Sequence, residues 1–342
     1  MGLLNNTSDK PVIGISLGDF NGVGPEIILK TVADSRILKI CTPLIYGSYK
    51  IFSKYKKLIP TEEVSFNSIK SIDQIHFKKA NIYTCWEDDY EINPGKVTPE
   101  AGKCAFISLS KATEDLIAGR IDGLVTAPIN KHNIQSDEFN FPGHTEYLTE
   151  KTGAKESLML LVNEFLRVGV ITSHIPLSAV KDHITKERVI TKINALYKSL
   201  KNDFGIPKPK IALLGLNPHA GENGMIGKEE ETILIPLVEE LKAKGVLVFG
   251  PFPADGFFGM HQYRKFDGVL AMYHDQGLTP FKTLSFDTGV NFTAGLPVIR
   301  TSPDHGTAYD IAGKNMASEA SFREALYLAC DLVKSRKPVT MQ

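Results

Sequence analysis

Five of the nine histidines stand in turn-like segments directly after short apolar runs. They are His144 in Pro142-Gly143-His144-Thr145, His174 in Ile171-Thr172-Ser173-His174 and His219 in Asn217-Pro218-His219-Ala220-Gly221-Glu222. His274 in Met272-Tyr273-His274-Asp275-Gln276 and His305 in Pro303-Asp304-His305-Gly306 complete the set. A lone loop histidine is ordinarily structural or merely exposed. Five at strand ends are harder to dismiss, because α/β topology gathers those ends at one edge of the sheet, where ligands collect. Neutral imidazoles suit Zn²⁺ and related first-row cations, and three with an open position make a Lewis-acid site. No His-Glu-x-x-His occurs, which argues against a zincin-type peptidase. Lys282 and Arg300, with Asn291 between them, supply a point charge and a forked guanidinium of the kind that hold phosphate or carboxylate. Taken singly, each is more often a surface ion-pair partner. His76, His132, His183 and His261 lack the strand-end context and read as surface or structural residues.

Two glycine-rich stretches bear on the chemistry. Gly18-Asp19-Phe20-Asn21-Gly22-Val23-Gly24-Pro25-Glu26 lies between the first apolar run and a helix opened by Pro25. Its backbone N–H groups suit an anion at a helix terminus, or it is a tight turn that needs glycine for its angles. It is neither G-x-G-x-x-G nor a P-loop, and Gly221–Lys228 fails the P-loop pattern because Glu229 follows the lysine. Gly14-Ile15-Ser16-Leu17-Gly18 matches the G-x-S-x-G pattern of serine hydrolases, but Ser16 falls inside the apolar run rather than on the turn.

These residues need a scaffold, and the pattern along the chain provides one. Pro11–Leu17, Pro43–Tyr46, Ala80–Cys85, Gly123–Ala127, Leu158–Val162, Val168–Thr172, Lys210–Leu214, Val246–Phe249 and Phe266–Met272 read as strands. Pro25–Ala33, Pro99–Ala118, Lys186–Leu200, Lys228–Lys244 and Ser321–Lys334 read as helices, with Pro236 kinking the fourth and Gly245 ending it. Lys54, Lys56 and Lys57, interleaved with apolar residues, look like the wet face of another helix. The alternation implies βαβ units and a largely parallel sheet covered on both faces. No internal repeat or linker stands out.

At 342 residues, the chain suits two domains or one large α/β unit with an insertion. Hydrophobic residues at 42% and charged ones at 23% are ordinary for a globular protein. Lys plus Arg equals Asp plus Glu at 39 each, so no overall field draws the chain to nucleic acid or an anionic membrane. The four cysteines, Cys41, Cys85, Cys104 and Cys330, are scattered, which argues against a thiolate zinc site or a disulfide framework and fits a reducing compartment. Met1–Lys10 lacks the apolar core of a signal peptide, and no apolar run approaches the ~18 residues of a membrane span. A cytoplasmic protein with no nucleic-acid or membrane partner is expected.

Several segments together resemble the 4-hydroxythreonine-4-phosphate dehydrogenase family of pyridoxal phosphate biosynthesis. They are Gly18–Glu26, Gly123–Lys131, Phe141–Glu146, Leu216–Glu222, Gly250–Asp255, Tyr273–Gly277 and Asn291–Gly313, in family order and spanning nearly the whole chain. The segment His305–Lys314 also looks like the cofactor loop of isocitrate and isopropylmalate dehydrogenases, with Tyr309 where they usually carry proline. The resemblance implies an α/β fold of two α/β/α domains, isocitrate/isopropylmalate dehydrogenase-like, with an active-site cleft between them. Residues 1–130 plus 300–342 would form the cofactor-side domain, and 131–299 the metal, substrate and dimerisation domain. It further implies metal ligation by His174, His219 and His274, and substrate contacts from His144, Thr145, Lys282, Asn291 and Arg300. His305, Gly306, Asp310, Gly313 and Lys314 would bind the dinucleotide. Phe20-Asn21 replace the more usual Pro-Ala, which puts the shape of that loop in question, and Ser65–Lys96 matches weakly and looks peripheral.

The activity implied is oxidation of 4-phosphohydroxy-L-threonine at C3 with NAD or NADP, then decarboxylation to 3-amino-2-oxopropyl phosphate. One divalent metal ion (Zn, Mg or Co) per site is implied, and a homodimer with shared active sites. Asp255, Asp275 and Lys282 are the candidates to take the alcohol proton, with Asp255 named first. Two alternatives stand beside this: a paralogue oxidising phosphorylated threonate or erythronate, and, more remotely, a metal-dependent phosphohydrolase. The phosphohydrolase would leave His305–Lys314 unexplained.

Overall fold

The computed structural model describes residues 10–61 and 64–336. Residues 1–9, most of the segment read for a leader, lie outside the described residues, as do 337–342 of the expected cofactor-side domain. The chain divides into two compact units, one of residues 10–153 and 297–336, the other of residues 154–296.

The chain builds five strands in the first unit: β1 (Val12–Ser16), β2 (Thr42–Gly47), β3 (Phe66–Ile69), β4 (Ala80–Thr84) and β5 (Gly123–Thr126). It then forms β6 (Leu158–Val162), β7 (Arg167–Val170), β8 (Ile211–Leu214), β9 (Val248–Phe252), β10 (Gly268–Ala271) and β11 (Val290–Ala294) in the second. β12 (Arg300–Pro303) returns to the first.

In the first unit the strand order is β3-β4-β2-β1-β5-β12, with parallel pairing throughout. Ile13, Ile15, Leu44, Ile45, Leu124 and Val125 are fully buried, as continuous apolar strands must be in a sheet covered on both faces. In the second unit the order is β11-β6-β7-β10-β8-β9. Here β7, β10, β8 and β9 run parallel, while β6 pairs antiparallel with both β7 and β11. The β6–β7 hairpin is closed by Asn163, whose Oδ1 accepts the N–H groups of Phe165 (2.9 Å) and Leu166 (2.6 Å). Val168, Val170, Ala212, Leu214, Val269 and Ala271 form one cluster with Phe257, Tyr263 and Phe281.

The nine strands read from the sequence are present, and β3, β11 and β12 are additional. β11 and β12 carry Asn291, Thr293, Arg300, Thr301 and Ser302, polar residues that broke the apolar pattern. The helix read over Lys228–Lys244 is a π-turn over Glu230–Leu234 followed by an α-helix over Ile235–Ala243, with Pro236 in its first turn. Residues 131–153 fall in the first unit, so His144 and Thr145 share a unit with Arg300 and the 305–314 segment. The helix His144–Lys151 is anchored there by Tyr147, whose ring meets Phe106 at 6.4 Å and Phe139 at 5.3 Å.

Candidate active site

The second unit sets the expected metal ligands in a row. His174 follows β7, His274 follows β10 and His219 follows β8, three neighbouring parallel strands whose carboxyl ends share one edge. Asp255 follows β9, next in the order. Hydrogen bonds fix these ends. Ile171 N–H donates to Ala271 O at 2.9 Å, Thr172 Oγ1 to Met272 O at 2.7 Å, and Gly215 N–H to Phe252 O at 2.8 Å.

The His174 and His274 rings lie 5.7 Å apart between centroids. Two imidazoles on one tetrahedral cation, with metal–nitrogen bonds of about 2 Å, place their ring centres roughly 5 Å apart, so the pair fits a shared ion. His274 Nδ1 donates to Asp275 Oδ1 at 2.7 Å, which leaves Nε2 with the free lone pair that a cation requires. Both histidines, with Thr172, Ser173, Ile175, Leu177, Val180, Tyr273 and Asp275, line a cavity of about 430 Å³. His219 does not line it, and among the described residues no three His, Cys, Asp or Glu side chains converge into a complete metal cage. His219 is exposed on its turn.

That turn is unusual. His219, Ala220, Glu222 and Asn223 all have positive φ, at 52°, 49°, 45° and 52°. Non-glycine residues there cost energy and persist only when the surroundings impose them. The buried Glu230 carboxylate does so: Oε1 accepts Leu216 N–H (2.7 Å) and Asn217 N–H (2.8 Å), and Oε2 accepts Asn217 Nδ2 (2.8 Å). Sequence gave no sign of Glu230, since a carboxylate thirteen residues after Asn217 becomes a partner only through the fold.

Of the proton-acceptor candidates, Asp275 is committed to His274, while Asp255 is exposed in the first turn of the helix Ala254–Gly259. Lys282 is half-buried on the helix His274–Ser285. Asn291, in β11, has a buried Oδ1 with no hydrogen-bond partner among the described residues.

In the first unit, Arg300 begins β12 and is buried, its Nε and Nη2 both donating to Thr126 Oγ1 at 3.1 and 2.6 Å. Burial pushes its pKa down to about 10, with the Glu146 carboxylate acting against that. Burial, then the nearby Arg300 and Lys131 charges, hold His144 well below its usual pKa of 6.5. His144 Nε2 is buried and unpartnered among the described residues, while Thr145 stands beside it, half-exposed, in the helix's first turn. A desolvated guanidinium beside a neutral imidazole with an open nitrogen is a ready anion site.

The expected cofactor loop also lies in this unit. His305 Nδ1 pairs with Gly306 O at 3.0 Å, and its Nε2 is buried without a partner among the described residues. Gly313 has φ +71°, and a Cβ there would meet Pro94 at 2.7 Å; Asp310 and Lys314 are exposed. The glycine-rich segment after β1 proves to be a structural turn. The N–H groups of Asp19, Asn21, Gly22 and Val23 donate to Pro128 O, Asp19 Oδ1, Asp19 O and Thr307 O at 2.9–3.1 Å, so they are spent within the protein. Buried Asp19 Oδ2 also accepts Tyr309 OH (2.9 Å) and Asn133 Nδ2 (2.7 Å). Ser16 ends β1, buried, so it sits on no nucleophile turn.

The expectation that Ser65–Lys96 is peripheral needs correcting at its end. Asn21 Oδ1 accepts Asn93 N–H (2.7 Å), Asn21 O accepts Gly95 N–H (2.8 Å), and Asn21 Nδ2 donates to Thr98 Oγ1 (3.2 Å). The 93–95 turn therefore supports both the glycine-rich turn and the 305–314 segment. Asn21, the departure noted above, is what holds it.

A family model described as pyridoxal phosphate biosynthetic protein PdxA matches residues 39–329. The 4-hydroxythreonine-4-phosphate dehydrogenase of Bacteroides thetaiotaomicron is 50% identical over 326 residues, covering 95% of this chain and 89% of that protein. A protein of Oceanobacillus iheyensis, provisionally named D-threonate 4-phosphate dehydrogenase, is 41% identical over 333 residues, covering 96% of this chain and 100% of that one. The crystal structure of 4-hydroxythreonine-4-phosphate dehydrogenase from Klebsiella pneumoniae is similar at a TM-score of 0.84 and 37% identity, covering 96% of this chain and 99% of that one.

Proposed function

The chain belongs to the family of the pyridoxal phosphate biosynthetic protein PdxA, and on that premise we propose that it oxidises 4-phosphohydroxy-L-threonine at C3 with NAD or NADP. Decarboxylation to 3-amino-2-oxopropyl phosphate follows, in a cytoplasmic homodimer whose active sites are shared. The observation that carries the reading is the row of His174, His274 and His219 at the ends of three adjacent parallel strands.

A divalent cation held by these three histidines would supply Lewis acidity at the alcohol oxygen, and NAD(P) a hydride acceptor. Asp275 keeps His274 in the tautomer with Nε2 free. Asp255 takes the alcohol proton; its helix packs against the turn that carries His219. Arg300, His144 and Thr145 bind the substrate's anionic end, and Lys282 and Asn291 add further contacts. The buried, neutral His144 adds no charge of its own, so the guanidinium supplies the attraction and the imidazole the direction. His305, Gly306, Asp310, Gly313 and Lys314 hold the dinucleotide.

The Oceanobacillus relative favours a second reading, in which phosphorylated threonate is the substrate. Nicotinamide reduction measured with each purified phosphosubstrate, in the presence of a divalent cation, separates the two. We expect turnover of 4-phosphohydroxy-L-threonine; turnover of phosphothreonate alone would overturn the proposal.

A further inference from the structure

Gln276 lies two residues beyond His274 and plays no part in the chemistry above, yet its amide is engaged at both ends. Oε1 accepts Met272 N–H at 2.7 Å, and Nε2 donates to Gly215 O at 2.7 Å. Met272 follows β10 and precedes His274; Gly215 follows β8 and precedes the turn that carries His219. The amide thus spans the two strand ends that launch two of the three histidines. The first bond resembles an ordinary helix cap, in which the third helical residue reaches back to the chain before the helix. The second does not: a cap has no use for a carbonyl on a neighbouring strand. Gly215 is itself held on its other side, its N–H donating to Phe252 O at 2.8 Å, so the strut bears on a fixed point. Gly215 is closely surrounded, since a Cβ there would meet Ala220 at 3.0–3.1 Å and Glu230 Oε1 at 3.2 Å.

We infer that Gln276 is a positioning residue whose amide sets the separation of the His219 and His274 arms, and through it the affinity and coordination geometry of the bound cation. The inference rests on the metal-centre reading above. Partners that orient ligands from behind are typically worth about 10–100-fold in metal affinity. Replacing the amide with a hydrocarbon leaves Met272 N–H and Gly215 O without their partner and lets the two arms drift.

The test is a Co²⁺ titration of the chelator-stripped, full-length protein, following heat and the visible absorption of the bound ion. Wild type, Gln276→Leu and His219→Ala are compared, with the metal-free thermal midpoint of each. We expect Gln276→Leu to bind Co²⁺ roughly 10–100-fold more weakly and with an altered visible spectrum. Its metal-free midpoint falls as well, because two buried backbone groups lose their partner, and the spectrum is the readout that a loss of stability alone would not move. Wild-type affinity and spectrum in Gln276→Leu would overturn the inference while leaving the metal centre standing. Equal Co²⁺ binding by wild type and His219→Ala, or none by either, would instead overturn the metal centre and the inference with it. Should the leucine variant fold poorly, Gln276→Glu carries the same outcomes, because it keeps the bond from Met272 N–H but sets an oxygen against the Gly215 carbonyl.

Discussion

His144 and Arg300 show how little of a residue's chemistry its type reveals. Both were named from the sequence, but their working states come from burial. His144 is pushed well below pH 6.5 by burial first and by Arg300 and Lys131 second. Since burial supplies the largest part, Arg300→Met should raise the His144 pKa without restoring 6.5, as an imidazole NMR titration would read; an unchanged value would show that the guanidinium does not act on the ring. The same depression has a sign for stability. Below pH 6.5 the unfolded chain takes up a proton that the folded His144 refuses, so its contribution is whole above that pH and falls as the pH drops toward its folded pKa. Equilibrium unfolding of wild type and His144→Gln across pH 5–8 checks this, with the difference between them shrinking toward acid. The residues that sequence missed, Thr126, Asp19, Glu230 and Gln276, share one property. Each acts on a group that is distant along the chain, such as Thr126 on Arg300, and so leaves no local pattern.

At the scale of elements, strands buried on both faces were plain because an apolar run is what such a strand needs. Those carrying Asn291 and Arg300 were not, because polar residues interrupt the run. The contacts that support the 305–314 segment were hidden too, although the helix that makes one of them was legible. The helix Pro99–Ile117 brings Gly102 against the 130–133 segment, where a Cβ would stand 1.9 Å from Asn133 O. Alanine is the better helix former by about 0.5–1 kcal/mol, but pressing a methyl into backbone costs typically 1–3 kcal/mol. The clash wins. Gly102→Ala should therefore lower the thermal midpoint, and by displacing Asn133 from Asp19 it should raise the KM for dinucleotide more than it lowers kcat. An unshifted midpoint would mean that the helix and the 130–133 segment separate freely. Asn21→Ala, which loses its side-chain bonds to Asn93 and Thr98, should weaken dinucleotide binding in the same direction, as NADH fluorescence would show.

For the whole molecule, the sequence supported an α/β architecture, and the structure divides the chain into two six-stranded units. Balanced charge offered no overall field to draw a partner and said nothing of a second copy. Leu177, Met225 and Met260 are 72%, 84% and 73% exposed in the second unit, large apolar side chains that a subunit contact would cover. Sedimentation should give twice the chain mass, with activity lost on dilution to monomer; a fully active monomer would contradict shared sites. None of the described helices is long and apolar enough to cross a membrane. The central claim is metal-dependent oxidation at the histidine row. Its most direct measurement is NADH formation from 4-phosphohydroxy-L-threonine by chelator-stripped protein, before and after a divalent cation is restored, in wild type and His219→Ala. We expect no turnover in the stripped wild type, recovery with the cation, and none in the folded His219→Ala protein under either condition. Turnover by the stripped enzyme, or full activity in His219→Ala, would contradict the claim.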